Sequence, residues 1–493
     1  MITLRLSIAG AAALSLASIA GAQVPQPAAP PSQGVVLKGK APVSDQVLSV
    51  KLPRPREATL ANGLHLIVLE DRRAPQISFT LQIPGAGGFY DAPDQVGVAT
   101  TTATMMREGT TSRTTLQIAE QLETMAAALN VGTGMASTAA TISGSSLTEH
   151  ADKIMELAAD VLLRPTFPDD EFARYRQRTV AGLNQQRANP GFLVQELWSK
   201  TIYGDHPAAR LSVTPAQLGA VTRDQMVAFH KARYVPDHAV IAIAGDISFT
   251  DARRLVESKL GGWAKAGTAA PRTTDPAAAG PSKVHLVDRP NSVQTNFVVG
   301  AQAINRTDPD YDAVQLMNAV VGGGPTGRLF IHLREEKGYT YGAYSGLNAG
   351  QFKGSWFAQT DVRSEVTEPA LTDLMEELRQ IRDVPVPAKE LADKKRSLVA
   401  SFALSLESPQ QVLNYYVTSW NYKLPADYWD RYPERVMGIT TQQVQNVARK
   451  YLDPSKVHII AVGDGKKVEG TLKKFGPLDT YDVEGRKVNT VVP

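Results

Sequence analysis

The sequence predicts an α+β protein of two homologous domains, each a mostly antiparallel sheet with helices packed on one face to form a bowl-like half. Three observations carry that expectation. First, the chain resembles itself. Val221–Asp246 (VTRDQMVAFHKARYVPDHAVIAIAGD) superposes on Ile439–Asp464 (ITTQQVQNVARKYLDPSKVHIIAVGD) at a shift of 218. The shift aligns Thr222 with Thr440, Pro236 with Pro454 and Gly245-Asp246 with Gly463-Asp464. Asp71-Arg72 and Asp288-Arg289 match at nearly the same shift, 217. Second, Ala264–Ser282 (AKAGTAAPRTTDPAAAGPS) has the Pro and Ala content of a linker and no apolar period. Third, helical patterns cluster between groups of strands instead of alternating with them one by one.

The elements follow in order. Met1–Ala22 carries a single charge, Arg5, then an apolar run ending in Ala20-Gly21-Ala22. This is the pattern of a secretory signal peptide cleaved after Ala22, so the protein is expected to be exported, with the periplasm its natural destination. The run is short for the roughly 20 residues that a spanning helix needs, so no stable membrane span is expected. Residues 23–49 read as a flexible leader rich in Pro, Ala, Gln and Ser. The first domain, 50–263, opens with the turn signal Asn62-Gly63 and strands over Leu64–Leu69 and Ile77–Ile83. Helical spacing covers Thr115–Leu129 and Leu147–Leu163, and Leu129–Ile142 reads as weak strands of small residues. The linker is 264–282. The second domain, 283–493, repeats the scheme and contains an apolar-periodic helix over Tyr311–Val320.

Composition narrows the chemistry. With Lys plus Arg at 52 and Asp plus Glu at 49, the net charge of +3 is too small and too evenly spread to point to nucleic acid. The absence of Cys excludes disulfides, thiolate metal sites and Cys nucleophiles. The histidines are residues 65, 150, 206, 230, 238, 285, 332 and 458. No two stand three to five apart, so no pair shares a helical face to chelate a metal. His206 reads as a loop or core residue and His332 as a structural residue within a helix.

The most specific motif is Val321–Tyr341, VGGGPTGRLFIHLREEKGYTY. Its Gly triplet, Arg-Leu-Phe, Leu-Arg-Glu and a Gly followed closely by Tyr resemble the C-terminal-half signature of the insulinase (pitrilysin) family of zinc metallopeptidases. Gly85–Thr110 resembles the family's first half. Catalytic members carry an inverted motif, His-x-x-Glu-His, in that half. Its two His chelate Zn²⁺, its Glu activates water, and a Glu further downstream completes the site. Aligned on Gly97-Val98-Ala99 and Gly109-Thr110, the His positions here are Thr100 and Thr104, and the base position is Ala103. Counting back from Asn189-Pro190, the downstream Glu position falls on Gly182. The resemblance therefore implies no catalytic residues and no metal in this chain.

The family's substrate-contacting Arg and Tyr map onto Arg334 and Tyr341. A guanidinium and a phenol can hydrogen-bond a substrate carbonyl and stabilise the oxyanion formed on water attack. Read from residues alone, the favoured reading is Arg334 as a solvated helix charge amid Glu335, Glu336 and Lys337, and Tyr341 as a core aromatic. Gly338 is expected to end the helix, with Tyr341 on the following strand, folded back towards Arg334. Gly322, Gly323 and Gly324 read either as a helix terminator permitting positive φ or as a flexible loop that touches unfolded peptide. The resemblance implies a pseudo-peptidase subunit of a heterodimer. Its partner would be a homologous, zinc-bearing peptidase subunit, and the two would enclose peptide substrates in a chamber. The alternatives are a scaffold or assembly protein, and a peptide-binding protein without catalysis.

Overall fold

In a computed structural model, the described residues are 50–488 apart from Thr268. The expected signal peptide and leader lie outside them. Among the described residues, twelve strands form two six-stranded sheets. The first holds β1 (Arg56–Thr59), β2 (His65–Glu70), β3 (Gln76–Pro84), β4 (Ala128–Gly132), β5 (Ala139–Leu147) and β6 (Val240–Gly245). The second holds β7 (Val284–Asp288), β8 (Gln294–Gln302), β9 (Ala343–Asn348), β10 (Ser355–Arg363), β11 (His458–Gly463) and β12 (Leu478–Tyr481). The order β2-β6-β3-β5-β4 recurs as β7-β11-β8-β10-β9. Most pairs are antiparallel; β2–β6, β7–β11 and β7–β12 are parallel. The sixth strand differs between the halves. β1 joins the first sheet antiparallel from the N-terminal side, and β12 joins the second parallel from the C-terminal side.

Local chemistry explains the repeat. Helices Arg223–Arg233 and Thr441–Tyr451 both start with a Thr whose hydroxyl accepts the N3 amide, while the N3 Gln side chain bonds back. Each helix feeds the central strand that ends in Gly-Asp. Asn62 accepts the Leu64 amide at 3.2 Å, and Gly63 takes φ +89°, which closes the β1–β2 turn. The expected helix over 115–129 ends earlier, at Thr124, because Ala126 turns left-handed and Ala128 begins β4. The helix expected from Leu147 starts at Ala151, since Leu147 still belongs to β5. Apart from Thr268, residues 264–282 form neither helix nor strand.

One face of each sheet packs on helices of its own half, in cores built around Phe79 and Ile243 in the first and Trp356 and Leu316 in the second. The other face is covered by a helix from the opposite half. Helix Pro190–Tyr203 lays Leu193, Leu197 and Trp198 on Val287, Val298 and Ile460 of the second sheet. Helix Pro409–Tyr422 lays Val412, Leu413 and Val417 on Ile67, Val240 and Ala242 of the first. Both helices start with Pro at the first turn after a side-chain cap, Asn189 and Ser408. Gly300 makes the first contact possible: a Cβ there would lie 2.2 Å from the Trp356 carbonyl and 2.9 Å from the Trp198 ring. Burial of each large apolar side chain contributes about 1.5–3 kcal/mol, so the reciprocal exchange binds the halves together. His65 stacks on Trp420 across the same junction, with ring centroids 3.7 Å apart.

Candidate functional site

The first half carries the degenerate positions on helix Val98–Met105. Buried Asp91 caps its start, accepting the Gly97 and Ala99 amides at 2.7 and 3.0 Å. Burial raises the Asp91 pKa, and these amides partly offset the rise. The hydroxyls of Thr100 and Thr104 turn back onto the helix, donating to the Gly97 and Thr100 carbonyls at 3.1 and 3.0 Å. Ala103 is fully buried. Gly182 lies exposed on helix Asp169–Gln186 and offers no side chain. Neutral hydroxyls already donating to carbonyls, a methyl and a glycine do not make a zinc site. Among the described residues no group of three His, Asp or Glu could hold a metal ion. Thr101 and Thr102 next to them have buried hydroxyls without a partner.

The second half builds its motif on a helical segment with two anchors. Helix Tyr311–Val321 stops at Gly322, and the chain re-enters helix at Arg328–Phe330, which continues as a π-helical turn, Ile331–Glu336. Such turns are rare and frequent at functional sites. Arg328 grips Glu390 through two bonds of 2.8 and 2.7 Å, and His332 meets Glu377 at 2.9 Å. His332 is thus a structural anchor. His206 likewise caps a short helix, packs edge-on to Phe89 and Phe352, and bonds the Thr274 carbonyl at 2.9 Å.

Gly338 ends the helix at φ +63°, donating its amide to the Arg334 carbonyl. Arg334 lies 4.7 Å from the Phe330 ring centroid, 3.4 Å from Glu335, with its side chain 44% exposed. Tyr341 is 88% exposed, which is unusual for an aromatic ring. It lies in a bend two residues before β9 rather than on that strand, because Gly342 is pinned there. Thr340 accepts the Gly342 amide at 3.0 Å, and Thr360 donates to the Gly342 carbonyl at 2.9 Å. Tyr344 folds its ring over Gly342, where a Cβ would meet it at 2.6 Å.

Tyr341 and Tyr344 border a cavity of about 460 Å³ between helix Pro190–Tyr203 and strands β8 and β10. Arg334 connects to it through aromatic contacts: its guanidinium covers Phe330, and Phe330 lies 5.5 Å from Tyr344. Gly322 joins the same edge strand, accepting the Ser345 amide at 2.8 Å. None of Gly322, Gly323 and Gly324 has positive φ, which corrects that expectation. Gly322 is required by close approach, since a Cβ would lie 2.7 Å from the Ser345 nitrogen. Gly323 would strike the Ala319 Cα, whereas Gly324 faces open space. The sequence reading missed Phe330, Tyr344 and Thr360. Only the aromatic spacing around Arg334 could have hinted at the first two.

Residues 66–216 match the insulinase (peptidase family M16) model, and residues 220–398 match the model described as peptidase M16 inactive domain. The architecture is thus that of a two-domain M16 protein. A crystal structure described as a peptidase M16 inactive domain from Pseudomonas fluorescens is 30% identical, with a TM-score of 0.77 over 83% of this chain and 98% of that one. A protease from Helicobacter pylori shares the fold at a TM-score of 0.76 and 16% identity, over 83% of this chain and 100% of that one. The uncharacterized zinc protease YmxG of Bacillus subtilis is 24% identical over 355 residues, 71% of this chain and 84% of that protein. The chain belongs to the insulinase family, peptidase family M16.

Proposed function

We propose that this protein is the non-catalytic subunit of an exported, periplasmic, heterodimeric zinc metallopeptidase. It supplies Arg334 and Tyr341 to substrate held by a homologous, zinc-bearing subunit. The partner performs the hydrolysis, and this chain binds no cofactor of its own. Arg334 and Tyr341 hydrogen-bond the scissile carbonyl and stabilise its developing negative charge, while the glycines at 322–324 lie along the peptide's path. The relatives named as zinc proteases support a peptidase setting for the pair.

One observation carries the reading. The first half offers hydroxyls bound to their own helix where a metal would need ligands, while the second half holds a phenol 88% exposed beside a cavity. Thr340 and Thr360 tie the backbone at Gly342, next to Tyr341, and this supports a binding role over a pure scaffold. Co-purification tests the proposal. An exported homologue with an intact His-x-x-Glu-His should co-elute with this chain at equal stoichiometry, and zinc should follow the homologue. Stoichiometric zinc in this chain alone would overturn the assignment of Thr100, Ala103, Thr104 and Gly182.

A further inference from the structure

The cavity beside Tyr341 contains a charge that nothing in the fold uses. Of the described side chains that line it, Asp361 alone is charged. Among the described residues Asp361 makes no ion pair and accepts no side-chain hydrogen bond, although it is half-buried. The next charge on the same face of β10, Arg363, is held by Glu365 at 3.0 Å. A carboxylate with no partner beside it attracts a cation that enters the cavity.

The surroundings specify which cation. Strand register sets Tyr344 opposite Gln359, and alternation along β10 puts Gln359 and Asp361 on the face towards helix Pro190–Tyr203. Gln195 of that helix donates to Gln359 at 3.0 Å and closes one side of the hollow. Tyr344 and Tyr341, both exposed, present aromatic surface at the mouth. Rings around a lone carboxylate suit an organic cation on a flexible stem, which gains an ion pair and a cation–π contact together. A compact hydrated metal ion is excluded, because one carboxylate and two phenols give too few hard ligands. Among the described residues β9 is the outermost strand of its sheet, and its Ser345 amide is already held by the Gly322 carbonyl, so the open approach to Asp361 is the mouth between Tyr341 and Tyr344.

The geometry points to a subsite for a lysine or arginine side chain of the bound peptide, formed by Asp361, Tyr341 and Tyr344. The inference rests on the proposed role in peptide binding and adds to it a preference for basic residues at one substrate position. That preference is set by this chain and not by the partner that cleaves.

Fluorescence anisotropy on the whole purified chain tests it, with a labelled extended peptide carrying one lysine and the same peptide carrying norleucine there. The lysine peptide should bind roughly tenfold more tightly, the effect of one charge-assisted contact. Asp361→Asn should abolish that difference, leave the norleucine affinity unchanged and leave the melting temperature within error of the parent. Equal affinity for the two peptides, or a lysine preference that survives Asp361→Asn, overturns the subsite while leaving the peptide-binding role standing. Failure to bind either peptide, alone or with the partner present, overturns the role and the subsite together.

Discussion

Thr360 donates its hydroxyl to the Gly342 carbonyl at 2.9 Å, and this bond from β10 fixes the bend that carries Tyr341 into solvent. Removing it by Thr360→Val should cost about 1 kcal/mol of stability. The amides of residues 340–344 should then exchange faster with deuterium while those of β8 and β11 keep their rates. Unchanged exchange in the bend would mean that Thr340 alone holds it.

The exchanged helices make a second prediction. Trp198 is 2% exposed and packs on the sheet of the other half. Trp198→Ala should cost about 3–5 kcal/mol, and Leu413→Ala about 2–5 kcal/mol. Both variants should still unfold in one denaturant transition, with each half destabilised by a change in the other. Two transitions, only one of which moves, would show that the halves fold independently.

Acid should weaken the second sheet. Burial, with the charge of His458 next, depresses the pKa of His285 to about 4 from its ordinary 6.5. His458 is likewise lowered by burial. Tyr481, Asp479, Lys283 and Lys487 surround the pair. Between these values the unfolded chain binds the proton and the folded chain does not, so stability falls as pH drops from about 6.5 to 4. The loss attributable to His285 is at most about 3 kcal/mol. Melting temperatures from pH 7 to 4 should therefore decline less steeply in His285→Asn than in the parent. Parallel declines would show that other groups carry the acid response.

Thr101 and Thr102 keep buried hydroxyls that bond to nothing. Valine has the same shape without the polar atom, so Thr101→Val and Thr102→Val should each stabilise the protein by about 1 kcal/mol. Destabilisation by either would mean that the hydroxyl has a partner, such as a buried water.

Much of this was legible in the sequence because duplication writes itself twice. The Thr caps at 222 and 440 and the Gly-Asp strand ends appear in both halves, and the structure puts them on matching elements. The exchange of helices was not legible. An amphipathic helix such as Pro190–Tyr203 shows which stripe it buries but not whose sheet receives it. The outer strands escaped for a related reason: β1 and β12 are four residues each and come from opposite ends of the chain. At the candidate site, the motif located Arg334 and Tyr341. The bend that exposes Tyr341 depends on Thr360, which is distant in sequence, so Tyr341 was expected on the strand. Asp361 carried no signal at all, because an unpaired carboxylate is visible only once its neighbours are known.

The most direct test is the rate of peptide hydrolysis by the zinc-bearing partner, measured with and without this chain. Parent protein should accelerate cleavage, and Arg334→Ala with Tyr341→Phe should lower the assembled rate by roughly a hundredfold while complex formation is retained. If the doubly substituted chain supports cleavage as well as the parent does, the exposed pair has no part in the reaction and the account is wrong.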